Sequence, residues 1–221
     1  MDDFTMDLVQ KYAPILYFDA REPFFPARVG VTVLDKLGAS PSFRRSFDFQ
    51  AKDLKYVIEY AIYWDYDIQH LYELEHVWIY VGQDGTVVDC DASFHGGYFK
   101  GLLRDRSNLE DTHVNMYSQP GKHAFLPDPE MFYLIPDLME CTKAEAHKRG
   151  LIVTGAFDGI YESNDEKDRL VNAELTRKAF TPSMEFQEYR LDPSLFVTWE
   201  QLKVEVPQRI EACIEQLRGL E

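Results

Sequence analysis

A tight turn at Asp84-Gly85 lies between two apolar runs that have the alternation of β-strands. Asp-Gly at such a position is a strong signal for a hairpin, because both central residues of a two-residue turn favour a positive φ angle. We therefore predict an antiparallel hairpin over residues 75–81 and 87–94. Centring the turn on this pair fixes the register, and the register decides which residues share each face.

One face of the predicted hairpin is entirely apolar, and the register places Val81 opposite Val88 on it. Its members are Val77, Ile79, Val81, Val88, Cys90 and Ala92. The opposite face carries His76, Trp78, Tyr80, Asp89, Asp91 and Ser93. A single apolar face is typical of an antiparallel sheet that packs on one side only.

Two carboxylates, Glu73 and Glu75, continue the apolar face at the far end of the hairpin. Burying carboxylates is costly unless a cationic partner satisfies them. A metal ion, an arginine or the water-filled end of a cavity could serve. In the alternative reading, the sheet simply ends there and both glutamates are solvated.

Five of the six histidines fall in one quarter of the chain, and they are His70, His76, His95, His113 and His123. Imidazoles and carboxylates bind divalent cations, and both transfer protons near neutral pH. The clustering favours a single pocket. His76 points to the opposite face of an ideal strand from the two glutamates, so we do not expect it to be a metal ligand.

The length and composition indicate one domain over residues 1–221, because no linker, repeat or low-complexity tract interrupts the chain. Aromatic residues make up 14% of the chain, which favours a mainly β fold. Further strands are expected at 29–34, 56–66, 114–118 and 151–157. Helices are expected at 4–12, at 143–149 with Thr142 as the N-cap, and from Pro207 towards the C-terminus.

The formal net charge of -15 argues against nucleic acid or an anionic membrane surface as a partner. Three widely spaced cysteines indicate reduced thiols. The first residues do not have the pattern of a secretory signal, and no apolar run approaches the roughly 20 residues needed to cross a bilayer. A cytoplasmic protein is therefore expected. The sequence does not indicate an oligomeric state.

Several motifs resemble those of the necrosis- and ethylene-inducing-peptide-like proteins, and the resemblance covers about residues 56–125. Residues 70–76, His-Leu-Tyr-Glu-Leu-Glu-His, are similar to the Gly-His-Arg-His-Asp-Trp-Glu segment of that family. Residues 92–98, Ala-Ser-Phe-His-Gly-Gly-Tyr, match its Ser-x-His-Gly-Gly-Tyr. Residues 114–124 are similar instead to a Gly-Ser-His-Ala motif of a vacuolar-sorting-associated family, whose Asp-Trp-Glu-His segment parallels residues 73–76.

The resemblance implies an antiparallel β-sandwich with peripheral helices and a divalent-cation pocket at one end. The ligands carried over by position are Asp67 (or Asp65, since the loop is shorter here), His70, Glu73 and Glu75. Glu73 stands where the toxin family has aspartate. That family is secreted and usually disulfide-bonded, and the sequence shows neither property, which weakens any inference of membrane damage.

Oxygen ligands together with one imidazole suit Mg²⁺, Mn²⁺ or Ca²⁺ better than structural zinc. We expect His95 to share the cavity with the metal ligands and His123 to lie at its rim. Two function classes follow. The first is a binding protein for a small polar or sugar-like ligand, and the second is a metal-dependent hydrolase with His95 or His123 as acid and base. No nucleophile or phosphate-loop motif supports the enzyme independently, so binding is favoured.

Overall fold

The computed structural model describes residues 1–50 and 53–220, and its elements are mostly strands. The strands are β1 (Ile15–Asp19), β2 (Arg28–Leu34), β3 (Gly38–Ala39), β4 (Ser46–Phe47), β5 (Leu54–Tyr66), β6 (His70–Gly82), β7 (Val87–Phe94), β8 (Gly97–Lys100), β9 (Leu109–Glu110), β10 (His113–Ser118), β11 (Phe125–Leu126), β12 (Gly150–Leu151), β13 (Phe186–Arg190) and β14 (Phe196–Thr198). The helices are α1 (Asp3–Tyr12), α2 (Asp165–Lys178) and α3 (Trp199–Arg218).

Two sheets share one apolar core. The larger has the strand order β14-β2-β5-β6-β7-β8, with β12 added beside β6. The smaller has the order β11-β10-β1-β13, with β9 beside β10. The expected mainly β fold with a C-terminal helix is confirmed. Both sheets are mixed, because β1 runs parallel to β10, β12 to β6, and β14 to β2.

The predicted hairpin is present, with Val77 opposite Ala92 and Ile79 opposite Cys90 as expected. Its turn is longer than predicted. The register shifts by one residue after Tyr80, so Val81 pairs with Val87, and Val88 is 38% exposed. A bulge of one residue reverses the direction of each side chain beyond it, which is why the predicted burial of Val88 is wrong.

The larger sheet is buried on both faces, whereas one packed face was expected. Trp78 and Tyr80, on the face predicted to be solvated, are almost fully buried. The segment 38–49, which contains β3 and β4, contributes Phe47 and Phe49 to a second apolar cluster around them. Further along the same face helix α3 lies against β2, and a Cβ at Gly30 would come within 2.7 Å of Leu202.

The terminal helices were predicted in part. Helix α1 matches the expected 4–12. Helix α3 begins at Trp199, eight residues before the expected Pro207, because Thr198 and Gln201 form a capping box at its start. The buried side chains of α3 run along the whole helix, from Trp199 to Leu217.

The segment 142–151 differs from its prediction. Instead of a helix and then a strand over 151–157, it forms turns that end in the two-residue strand β12. The Thr142 hydroxyl donates to the Met139 carbonyl, so it does not cap a helix. The backbone N–H groups of His147 and Arg149 donate to the carbonyls of Ile68 and Gln69, which fixes the segment beside the start of β6. Helix α2 follows, and the side chain of its N-cap Asn164 accepts from the Lys167 N–H.

A buried ion pair between Arg45 and Asp91 joins the covering segment 38–49 to the sheet. Arg45 lies 2.7 Å from Asp91 Oδ2, and both side chains are buried. Asp91→Asn should destabilise the fold by about 3 kcal/mol, because it leaves the guanidinium in the interior without its counter-charge. Urea unfolding measures this. Glu145→Gln is the control, since Glu145 pairs with Lys148 on the surface and should cost less than about 1 kcal/mol. Equal costs for the two variants would show that the pair contributes nothing specific.

Candidate functional site

Three potential metal ligands meet where β5 passes into β6. Asp67 lies in the turn, His70 begins β6, and Glu73 follows on that strand. His70 Nε2 lies 3.7 Å from Asp67 Oδ1 and 3.8 Å from Glu73 Oε2. One ligand atom from each of the three lies within 4.8 Å of the others. Of the four predicted metal ligands, the structure thus brings these three into one cluster.

The backbone fixes which nitrogen of His70 faces the cluster. His70 Nδ1 lies 2.8 Å from the Tyr72 carbonyl, and because a carbonyl only accepts, Nδ1 carries the hydrogen. Tyr72 has a φ angle of 80°, a rare conformation for a residue with a side chain. Burial lowers the pKa of His70 to about 4, so the ring is neutral at pH 7. Its Nε2 lone pair is therefore directed at the two carboxylates.

The carboxylates of the site differ in their ease of ionisation. Burial alone would raise the pKa of Asp67, but the positive charges of Lys122 and of His70, which is protonated in acid, outweigh it and hold that pKa below its usual value. Burial, reinforced by repulsion from the other carboxylates, raises the pKa of Glu73 well above its usual value. Burial likewise raises the pKa of Glu75 to about 7, against the hydrogen bond from Ser93. A cation in the cluster would relieve this repulsion.

Glu75 forms the wall between the cluster and the β7–β8 turn. Its side chain accepts hydrogen bonds from the Ser93 hydroxyl and from the His95 backbone N–H. The His95 ring lies across the cavity, with Nε2 2.8 Å from Gln119 Oε1. Burial lowers the pKa of His95, so this ring too is neutral at pH 7 and donates to Gln119. The other ring nitrogen, Nδ1, is thereby left unprotonated.

Lys122 belongs to the site although the sequence argument did not single it out. Its ammonium lies 2.6 Å from Asp67 Oδ2. The sequence signal that could have indicated it is the Pro120-Gly121 turn just before it. Gly121 has a φ angle of 69°, and its backbone N–H donates to the buried Glu22. The turn therefore directs Lys122, rather than the next residue, into the cavity.

The expected position of His123 at the rim is wrong. Its ring is fully buried and stacks on Trp64 at 4.5 Å with an interplanar angle of 2°. Its Nε2 lies 3.3 Å from Glu22 Oε1. The alternation along the 119–124 turn sends this side chain into the core. Its catalytic role stays a prediction, but the ring does not line the cavity.

Asp65, the alternative to Asp67, is engaged elsewhere. Both of its oxygens accept hydrogen bonds from Arg209 of helix α3, at 2.9 and 2.7 Å. Asp65 and Asp67 differ by two positions, but the chain leaves β5 between them. Asp67 is the aspartate that faces His70.

His76 also lines the cavity, but it is outside the cluster of Asp67, His70 and Glu73, as expected of a histidine that is not a metal ligand. Its Nε2 lies 2.9 Å from the Ser42 hydroxyl, which donates to Glu59 Oε1 at 2.6 Å. Burial, assisted by the charge of Arg45, lowers the pKa of His76 to about 3. These bonds hold the covering segment 38–49 against the sheet.

A cavity of about 1130 Å³ lies beside the cluster and opens to solvent. It is lined among others by His70, Glu73, Glu75, His95, Tyr98 and Lys122. The prediction that His70, Glu73, Glu75 and His95 share one cavity is confirmed. Nothing in the described ranges 1–50 and 53–220 forms a helix long and apolar enough to span a membrane.

No family model matches the sequence, and no curated protein matches it. Among the solved structures similar to the chain are those of necrosis- and ethylene-inducing proteins, the family that the motifs resemble. Necrosis and Ethylene inducing Protein 2 from the causal agent of cocoa's witches' broom disease has 22% identity and a TM-score of 0.36, over 54% of this chain and 66% of that one. NLPPya in complex with glucosamine has 20% identity and a TM-score of 0.39, over 56% of this chain and 66% of that one. A structure described as a toxin fold for microbial attack and plant defense has 19% identity and a TM-score of 0.39, over 57% and 70%.

Proposed function

We propose that the protein binds a hard divalent cation at Asp67, His70 and Glu73, and uses it to hold a small polar or sugar-like ligand in the cavity. The observation that carries this proposal is the convergence of two carboxylates on an imidazole nitrogen that has no hydrogen of its own. The lone pairs of these three groups repel one another, and a cation between them would remove that repulsion. A ligating histidine usually donates its other N–H to a carbonyl, as His70 does to Tyr72.

The donor set favours Mg²⁺, Mn²⁺ or Ca²⁺ as the ion. Carboxylate oxygens dominate the set, and no cysteine is in the cluster. Glu75 is the fourth predicted ligand, and we propose that it acts at the edge of the site while it holds Ser93 and the turn at His95. Three protein ligands are fewer than the six or more that these ions prefer. Positions directed at the cavity therefore remain for ligand oxygens or water.

The polar groups on the wall of the cavity favour a hydroxylated ligand. It is far larger than one ion requires, and Glu73, Gln119 and His95 offer hydrogen-bond partners along its wall. Tyr98 is 50% exposed beside it and offers an aromatic face. Hydroxyl groups could replace water on the cation, while the ring packs against the carbon face of the ligand.

A second candidate is a metal-dependent hydrolase, and the position of His95 favours it. This imidazole faces the cavity and is neutral at pH 7. Its Nε2 bonds to Gln119, so its Nδ1 is available to accept a proton. It could accept a proton from a water that the cation activates. Hydrolysis that needs the cation and is lost in His95→Ala, with cation binding retained, would establish this candidate over simple binding.

Cation binding should raise the thermal stability of the protein, since the ion binds the folded state alone. At one hundred times the dissociation constant the gain is about 2.7 kcal/mol, or about 5 °C or more in melting temperature. Glu73→Gln should reduce this shift strongly and Glu75→Gln partly. Melting curves in EDTA, Mg²⁺, Mn²⁺ and Ca²⁺ measure it.

The control is Glu200→Gln on the exposed surface of α3, which should keep the full shift. If EDTA and all three ions leave the melting temperature of the unaltered protein unchanged, the pocket is not a metal site. The function would then have to rest on the cavity alone.

A further inference from the structure

The site already contains one cation of the protein's own. The Lys122 ammonium lies 2.6 Å from Asp67 Oδ2, and the two side chains are 7% and 0% exposed. The other oxygen of the same carboxylate, Oδ1, faces His70 Nε2 at 3.7 Å. Asp67 therefore pairs with Lys122 through Oδ2 and faces His70 through Oδ1.

Lys122 is fixed in place by its turn. The Gly121 carbonyl accepts from the Ile68 N–H at 2.8 Å, and the Gly121 N–H donates to Glu22 at 2.7 Å. The next residue, His123, is stacked in the core on Trp64. Lysine side chains normally extend into water. Here the backbone just before Lys122 is hydrogen-bonded on both sides to buried residues. The backbone that carries Lys122 is thus fixed, and its ammonium lies beside Asp67.

We propose that Lys122 is a resident counter-cation that shares Asp67 with the bound metal ion and makes that ion weakly held and exchangeable. This inference rests on the proposed cation site. When the site is empty, the ammonium satisfies Asp67, whose buried carboxylate would otherwise be unpaired. When the ion arrives, the lysine repels it from the far side of the same carboxylate.

The size of the repulsion decides the expected effect. At the effective dielectric of about 20 that describes buried sites, a unit charge a few ångström from a divalent ion changes its affinity by well over ten-fold. Against this, Lys122 helps to orient Asp67. The Gln69 N–H also holds Asp67 Oδ1, at 2.6 Å, so the orientation survives without the lysine. Removing the charge of Lys122 should therefore tighten binding.

The experiment is a titration of the protein with Mn²⁺ alone at fixed pH, measured by isothermal titration calorimetry. Lys122→Met and Lys122→Gln remove the charge, while Lys122→Arg keeps it. We expect the two neutral variants to bind Mn²⁺ at least ten-fold more tightly than the unaltered protein, and the arginine variant to stay within about three-fold. In EDTA the neutral variants should melt at a lower temperature than the unaltered protein, and Mn²⁺ should reverse this. Lys203→Met, on the exposed surface of α3, controls for the change in net charge.

If the unaltered protein binds Mn²⁺ and the neutral variants bind it with the same or lower affinity, the inference about Lys122 is overturned. The proposed cation site is then still supported. Neutral variants that fail to fold even in Mn²⁺ also overturn it, since the lysine is then required structurally. If the unaltered protein binds no Mn²⁺, the proposed function itself fails.

Discussion

Asp67→Asn is expected to weaken cation binding by at least one hundred-fold, whereas Asp65→Asn leaves it unchanged. Asp67 supplies a fully buried carboxylate to the cluster, and one of its oxygens also pairs with Lys122. The amide keeps the shape of the side chain but removes the charge. The site then contains an uncompensated ammonium, which both repels the ion and destabilises the empty protein by about 3 kcal/mol.

Calorimetric titration with Mn²⁺ and urea unfolding in EDTA measure the two effects separately. Asp65 is a closely matched control, because it is an aspartate two positions away that pairs with Arg209 outside the cluster. If Asp65→Asn abolishes cation binding and Asp67→Asn does not, Asp65 is the ligand and the proposed ligand set is wrong.

Lowering the pH from 6.5 to 4 should destabilise the fold by on the order of 3 kcal/mol through His76 alone. Burial lowers the pKa of this histidine to about 3, against about 6.5 in an unfolded chain. Below pH 6.5 the unfolded state takes up a proton that the folded state refuses, so stability falls as the pH decreases towards 3. Above pH 6.5 both states are neutral at this residue and the effect vanishes. His70, with its pKa lowered to about 4, adds a change in the same direction.

The variant His76→Gln separates this effect from general acid unfolding. The free energy of unfolding of this variant should fall less steeply with falling pH. Between pH 6 and 4 its slope should be smaller than that of the unaltered protein by about 1.4 kcal/mol per pH unit. Urea unfolding at several pH values gives both slopes, and EDTA throughout excludes any contribution from cations. Identical slopes in the variant and the unaltered protein would show that His76 is not buried in its neutral form.

Local patterns predicted the centre of the fold well. The alternation beside Asp84-Gly85 gave the hairpin and most of its pairs, and it placed Glu73 and Glu75 on the core side of β6. The choice of Asp67 and His70 as ligands came from the family resemblance, and the structure brings them together across one short turn. These features depend on residues close in sequence, where strand periodicity and turn geometry decide the outcome.

Features that depend on distant parts of the chain were not predicted. The one-residue bulge at Val88 follows from a turn that is longer than two residues. Burial of Trp78 and Tyr80 depends on the covering segment 38–49, and nothing within their own strand indicates it. Lys122 was missed because its partner, Asp67, lies on a different element. An arginine had been considered as the partner of the acidic groups, and the structure uses this lysine instead.

The most direct test of the cation site is anomalous diffraction from a crystal of the protein soaked in Mn²⁺. We expect one strong anomalous peak within about 2.5 Å of ligand atoms of Asp67, His70 and Glu73. Lys122 should remain on the far oxygen of Asp67. A crystal that shows no peak in this cluster, or a peak only at other acidic groups, would contradict the account.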